Sequence, residues 1–161
     1  MAAGVGNITV ELTPAATEEV RRLVEELETV LAAEYPPEQR HGLALTAIFQ
    51  PHIRFFVARL DAAAVGCGGV ALFDGFAEVK RMFVRDAARG HGVAQALLTR
   101  IERAARDSGT GILRLEMGVN QAAALRFYQR QGFRSCAAFG DYVAMAPHAI
   151  ATSVFMEKRL T

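Results

Sequence analysis

Tryptophan is absent from this 161-residue chain, and cysteine occurs only twice, at Cys67 and Cys136. The two lie far apart and form no CxxC pair, so neither a disulfide framework nor a thiolate metal cluster is expected, and both read as reduced thiols. The four histidines, His41, His52, His91 and His148, show no HxH or HxxxH spacing, and no metal site is expected from them. Charge of one sign is also missing. The formal net charge is +1 and there is no polybasic run, which makes nucleic acid or an acidic membrane a poor choice of partner. No apolar run approaches the roughly 20 residues of a membrane span, and the first residues lack a charged-then-apolar leader pattern. These absences point to a soluble, cytoplasmic protein. What is abundant is core material: hydrophobic residues make up 52%. A chain of this size buries about two-thirds of its unfolded surface, enough for one domain over residues 1–161 without covalent staples.

Periodicity orders the chain. "NITVEL" (7–12) alternates as a strand. Residues 13–35 repeat Val20, Leu23, Val24, Leu27, Val30 and Leu31 at helical spacing, with Thr13 and Pro14 fitting an N-cap and first turn. After Pro36 and Pro37, residues 38–50 read as a second, shorter helix interrupted by Gly42. Three β-rich runs follow: "IRFFVARL" (53–60), "AVGCGGVALF" (64–73) and "FAEVKRMFV" (76–84), separated by "DAA" and "DG" turns. A helix from about Gly92 to Gly109, a strand at 111–119, a helix at 121–133 and a strand at 151–160 complete the order β-α-α-β-β-β-α-β-α-β, a mixed sheet with helices packed on it.

The segment "DAARGHGVAQALLTRIERAARDSG" (86–109) places Arg89, Gly90 and Gly92 just before a helix. Unpaired N–H groups and the helix dipole favour an anion there, the glycines allow close backbone approach, and Arg89 can add a charge-assisted hydrogen bond. An ordinary strand-to-helix turn would use the same glycines. Two familiar phosphate loops do not fit. No GxxxxGK[ST] is present, and "GCGGVA" (66–71), a loose GxGxxA, runs from strand into strand instead of opening a helix.

The pattern from Arg89 through Gly92 to Ala94 matches [QR]xxGx[GA]. With "AEVKRMFV" before it and "NQAAALRFYQRQGF" (120–133) about 30 residues later, the chain resembles the GNAT N-acetyltransferase superfamily. The resemblance spans roughly residues 53–160, and residues 7–50 fit the family's variable β-α-α opening. It departs where the family commonly has proline (Asp86) and often glycine (Ala94), and neither change removes a backbone donor. The resemblance implies an α/β (α+β) fold, a mixed, mostly antiparallel sheet of 6–7 strands flanked by about four helices. It implies acetyl-CoA as co-substrate, direct acetyl transfer to a primary amine of a small-molecule or amino-acid-like acceptor, and no metal. It also allows a homodimer. A non-catalytic acyl-CoA sensor, and an acetyltransferase acting on protein lysines or N-termini, are the competing functions.

Acetyl transfer from a thioester needs a neutral amine, donors for the developing oxyanion and a proton for the departing thiolate. Tyr128 resembles the family's general acid, and a phenol with pKa near 10 is protonated at neutral pH. Packing beside Phe127 is its plainer role. Glu78 sits where several family members carry a catalytic glutamate, although an ion pair with Lys80 explains it as well. Strict alternation predicts Glu78, Lys80, Met82 and Val84 on one sheet face, with Arg81 and Phe83 on the other. The resemblance assigns cofactor contacts to Phe83, Val84, Arg89, Gly90, His91, Gly92, Val93, Ala94 and Asn120. The oxyanion donor is then a backbone N–H near Phe83 or Val84, and Asn120 is equally placed to cap the next helix. Tyr35, Asp141 and Tyr142 are the main acceptor-site candidates, joined by Arg40, His41 and Ser153. Cys67 in "GCGG" reads as close packing and has no neighbouring base to make it a nucleophile.

Overall fold

The computed structural model describes residues 6–161. Seven strands form one sheet in the order β1-β2-β3-β4-β5-β7-β6. They are β1 (Ile8–Leu12), β2 (Ile53–Leu60), β3 (Ala63–Leu72), β4 (Ala77–Val84), β5 (Ile112–Gly118), β6 (Arg134–Ser135) and β7 (Ser153–Arg159). Every pairing is antiparallel except β4 with β5. That pair is joined through helix α2 (Val93–Asp107), as a parallel connection requires. Helices α1 (Glu18–Glu34) and α3 (Ala122–Arg130) complete the α-helices among the described residues.

The adjacent Phe55 and Phe56 show how alternation divides the core. Phe55 joins Val20, Leu23, Val57 and Cys67 under α1, whereas Phe56 joins Leu97, Ile101 and Leu115 under α2 and α3. Each fully buried side chain of this size contributes roughly 2 kcal/mol of apolar transfer free energy. The glycines of β3 let neighbours close in. A Cβ on Gly66 would lie 2.9 Å from the Phe83 carbonyl oxygen, and one on Gly69 would lie 3.0 Å from the Phe55 ring. Close packing is therefore the role of "GCGG", as its composition suggested.

Three expectations are corrected. Helix α1 starts four residues later than Thr13: Thr17 is the N-cap, accepting the Val20 N–H at 3.2 Å, and Glu18 and Glu19 occupy the dipole-favoured first turn. Thr13 instead prolongs the sheet edge by donating its N–H to the Phe55 carbonyl at 2.8 Å. The helix expected over 38–50 is two single 3-10 turns, Pro37–Gln39 and Leu45–Ala47. Prolines at its start, Gly42 in its middle and apolar Leu43, Leu45, Ile48 and Phe49 drawn to the α1-side core outweigh helix propensity there.

The third correction concerns β4. Cys67 pairs with Phe83 and Gly69 with Lys80, so Arg81 and Met82 together oppose the single residue Gly68. This is a β-bulge, and Arg81 occupies it with φ of 55°. The extra residue inverts the second half of the strand. Met82 and Val84 pack into the α2-side core, while Phe83 joins the α1 face that Glu78 shares through its partner Ala71. Arg81 also turns to the α1 face, where it meets Leu43 and Glu28.

Candidate active site

β4 and β5 pair only at Ala77 with Leu113 and Glu78 with Arg114. Beyond Glu78 they diverge, and a cleft of about 160 Å³ opens between them, lined by residues of α1, β4, β5 and α3 together with Gln39–Gly42 and Tyr142. The β4 backbone facing β5 has no ladder partner there, leaving an unpaired strand edge inside the molecule.

Glu78 is 4% exposed and points into this cleft. Its Oε2 accepts the Tyr142 hydroxyl at 2.7 Å and lies 2.9 Å from the Lys80 ammonium, which in turn donates to the Tyr142 oxygen at 3.2 Å. Among the described residues, Oε1 takes no hydrogen bond. Tyr142 is buried between Phe139 and Phe155. Burial, then the Glu78 charge beside it, holds its hydroxyl far above the ordinary phenol range, so it acts as a fixed donor.

Across the cleft on β5 stands Glu116, which the sequence reading did not single out. Burial raises its carboxyl above the usual range, opposed by a 2.6 Å hydrogen bond from Ser153 and by the charges of His41 and Lys80. A signal existed: in "ILRLEMG" Leu113, Leu115 and Met117 alternate with Arg114 and Glu116, so the polar face was legible.

Tyr128 is 6% exposed and closes the cleft from α3, edge-on to Phe127 and Phe133 with centroids at 5.2 and 5.4 Å. Burial pushes its hydroxyl well above the ordinary value, so it is protonated throughout the neutral range. Tyr35 lines the same space. Its hydroxyl accepts the Asn120 N–H at 2.9 Å, and its ring lies where a side chain at Gly118 would stand. His41 donates Nε2–H to the Ala149 carbonyl at 2.6 Å, and Arg40 pairs with Glu28 at 3.4 Å.

Asp141, by contrast, is exposed and not part of the cleft lining. Asn120 is exposed as well. The cap position of α3 is Gln121, and no side chain caps that helix, so the capping role considered for Asn120 is not taken.

At the outer end of β4 the chain turns through Asp86–Ala88 into α2. Gly90 and Gly92 hold φ of 82° and 85°, a region costly for other residues, and a Cβ at Gly90 would meet nothing within 4 Å. Gly92 is the N-cap of α2 and supplies no side chain to its first turn. His91 turns Nδ1 back toward the Ala88 and Arg89 carbonyls at 3.1 Å. Val93 anchors the helix start in the core, while Ala94 keeps its first turn slim. Arg89 is exposed and pairs with Asp86 at 3.2 Å, a contact worth little in water and easily exchanged for another anion.

Cys67 is fully buried, and burial pushes its thiol up to about 12. Iodoacetamide at pH 8 is therefore expected to leave Cys67 unlabelled and the activity intact until the chain is unfolded, as read by peptide mass spectrometry and an acetyl-transfer assay.

The fold that carries this cleft is shared with known proteins. Residues 51–135 match the family model "Acetyltransferase (GNAT) domain". An IAA acetyltransferase of Azospirillum brasilense is 42% identical over 96% of this chain and 99% of its own. A provisionally named acyl-CoA N-acyltransferase from Klebsiella pneumoniae superposes with a TM-score of 0.75 at 29% identity, covering 96% of this chain and 98% of that one. The PaiA N-acetyltransferase of Thermoplasma acidophilum, solved in complex with coenzyme A, shares the fold at 18% identity, with a TM-score of 0.69 over 94% of this chain and 99% of that one. The chain belongs to the GNAT acetyltransferase family, and its reaction class is N-acetyl transfer.

Proposed function

We propose that the protein is a single-domain acetyl-CoA-dependent enzyme that acetylates the primary amine of a small acceptor directly, with Glu78 and Tyr128 carrying the proton transfers. The observation that carries this reading is the cleft itself, which brings a buried carboxylate and a buried phenol to the gap between β4 and β5. The coenzyme-bound Thermoplasma relative, which shares the fold, supports the donor.

The residues present fit such a donor. Gly90 and Gly92 leave open space before an uncapped helix start, and a diphosphate there would take the N–H groups of the first turn, with Arg89 exchanging Asp86 for phosphate. The unpaired edge of β4 can hydrogen-bond an amide-bearing arm as an added strand would. When bound, acetyl-CoA supplies an acyl carbon activated by its thioester. Backbone N–H groups at Phe83 or Val84 stabilise the charge that develops on the acyl oxygen. Glu78 takes the proton that the acceptor nitrogen loses as it bonds to the acyl carbon, its Oε2 already held by Lys80 and Tyr142 and its Oε1 left for the amine. Tyr128 supplies the proton to sulfur as the carbon–sulfur bond breaks. Amide and free thiol result, and the proton gained by Glu78 returns through solvent to Tyr128, which restores both groups.

The test is thiol release from acetyl-CoA across amines, amino acids, polyamines and peptides. Turnover on small amines, lowered about 100-fold in Glu78→Gln, is expected. Stabilisation by CoA with no turnover on any acceptor would replace this reading with an acyl-CoA sensor, and turnover confined to peptides would replace it with a protein acetyltransferase.

A further inference from the structure

Two guanidinium groups of the cleft are not fully used. Arg81 is 5% exposed along its side chain. It donates Nε–H to the Leu43 carbonyl at 2.8 Å and pairs through Nη2 with Glu28, but its buried Nη1 has no hydrogen-bond partner. Arg40 lines the same cleft. It pairs with the same Glu28 through Nη1, and its buried Nε is likewise unpartnered. Two cations therefore share one carboxylate, and each keeps a buried donor unused. A buried N–H without an acceptor carries a desolvation cost of about 1–3 kcal/mol, more for a charged group, so such an arrangement is built to receive something.

The rest of the cleft limits what that is. Lys80 is already paired with Glu78, and Arg81 stands three residues from Glu78 along β4, at most about 10 Å away by strand rise. One part of the cleft is thus lined by the carboxylate residues Glu78 and Glu116, and another by Arg40 and Arg81, each of which has one enclosed guanidinium nitrogen without a partner. The cavity, about 160 Å³, suits a small occupant.

We propose, building on the reading of this cleft as the acceptor site, that the acceptor carries a carboxylate as well as its amine, and that Arg81 Nη1 and Arg40 Nε bind that carboxylate. The acceptor class is then an amino acid, oriented with its nitrogen at Glu78 and its carboxylate at the arginine pair. The bulge gives Arg81 this position, because an unbulged β4 would send that side chain to the opposite face.

The experiment compares α- and ω-amino acids with their primary amides, and β-alanine with phosphoethanolamine, in acetyl-CoA turnover. In parallel, calorimetry measures binding of the N-acetylated acids and amides to the CoA-loaded protein. Acids are expected to exceed their amides in kcat/KM by roughly 10- to 100-fold. Arg40→Gln should shrink that ratio by raising KM for the acids. The comparison between acid and amide needs no change at Arg81, whose contacts to Leu43 and Glu28 also hold the fold. Amides turned over as well as acids would overturn the carboxylate assignment and leave amine acetylation standing. Phosphoethanolamine outrunning β-alanine would overturn it in favour of a phosphate. If no amine is acetylated yet N-acetylamino acids bind more tightly than their amides in an Arg40-dependent way, the carboxylate assignment holds and the amine reading fails. Neither turnover nor selective binding would remove both.

Discussion

Tyr128→Phe is expected to lower kcat at least about 100-fold while KM for each substrate shifts no more than roughly threefold, the pattern of an interaction made only in the transition state. The substitution removes one oxygen and keeps the ring, so the edge-on contacts to Phe127 and Phe133 survive and the fold is unaffected. Burial is what gives the hydroxyl its value here. A phenol held above its ordinary range never ionises at working pH, and its proton is retained until a thiolate forms beside it. A thiol has an intrinsic pKa near 8.5, below that of the buried phenol, so the transfer is driven as charge grows on sulfur and is completed when the proton held by Glu78 returns to Tyr128. Steady-state kinetics on the best acceptor decides the matter. A kcat within a few-fold of wild type would leave Tyr128 as packing alone and pass the leaving-group proton to water.

Gly92→Glu is expected to abolish measurable CoA binding, with affinity falling about 100-fold or more, while circular dichroism shows a folded chain. Two effects act in the same direction. A non-glycine residue at φ of 85° costs on the order of 1–2 kcal/mol. The new carboxylate would also stand at a helix start where a diphosphate needs N–H donors and positive potential. Gly92→Ala separates the two, because it carries the backbone cost without the charge. A Cβ there meets only Ile8 Cδ1, at 3.9 Å, so no clash within the protein confuses the result. Thermal stabilisation by CoA, measured across the three proteins, is the readout. Undiminished stabilisation of Gly92→Glu would mean that the loop is not the diphosphate cradle.

The glycine loop before α2 and most of the succession of elements along the chain were legible because they depend on local rules. Glycine at positive φ, an arginine before a helix and runs of alternating or helical periodicity all leave marks within a few residues. Three features were less visible. Residues 38–50 have a helix-like composition, but their apolar side chains are recruited by the α1-side core, which only the tertiary structure supplies. Glu116 belongs to the polar face of the β5 alternation, but its place at a cleft depends on β4 opening away from that strand, which leaves no local mark. The partnerships of Arg40 and Arg81 with Glu28 join residues 12 and 53 positions away, and nothing in the local sequence marks them. Tyr142 lines the cleft whereas its neighbour Asp141 is exposed, a one-residue distinction set by the 3-10 turn at Gly140–Ala144.

The bulge in β4 makes the site unusually sensitive to chain length. Substituting Met82 or Phe83 changes one side chain in place. Deleting Arg81 would restore a regular ladder with β3 and leave Phe83 opposite Cys67 and Val84 opposite Gly66, so the core pattern survives and only the guanidinium that the bulge turns to the α1 face is lost. In this strand one supernumerary residue, and not only its identity, brings a guanidinium to the cleft, so removing it separates the contribution of Arg81 from the packing of the core.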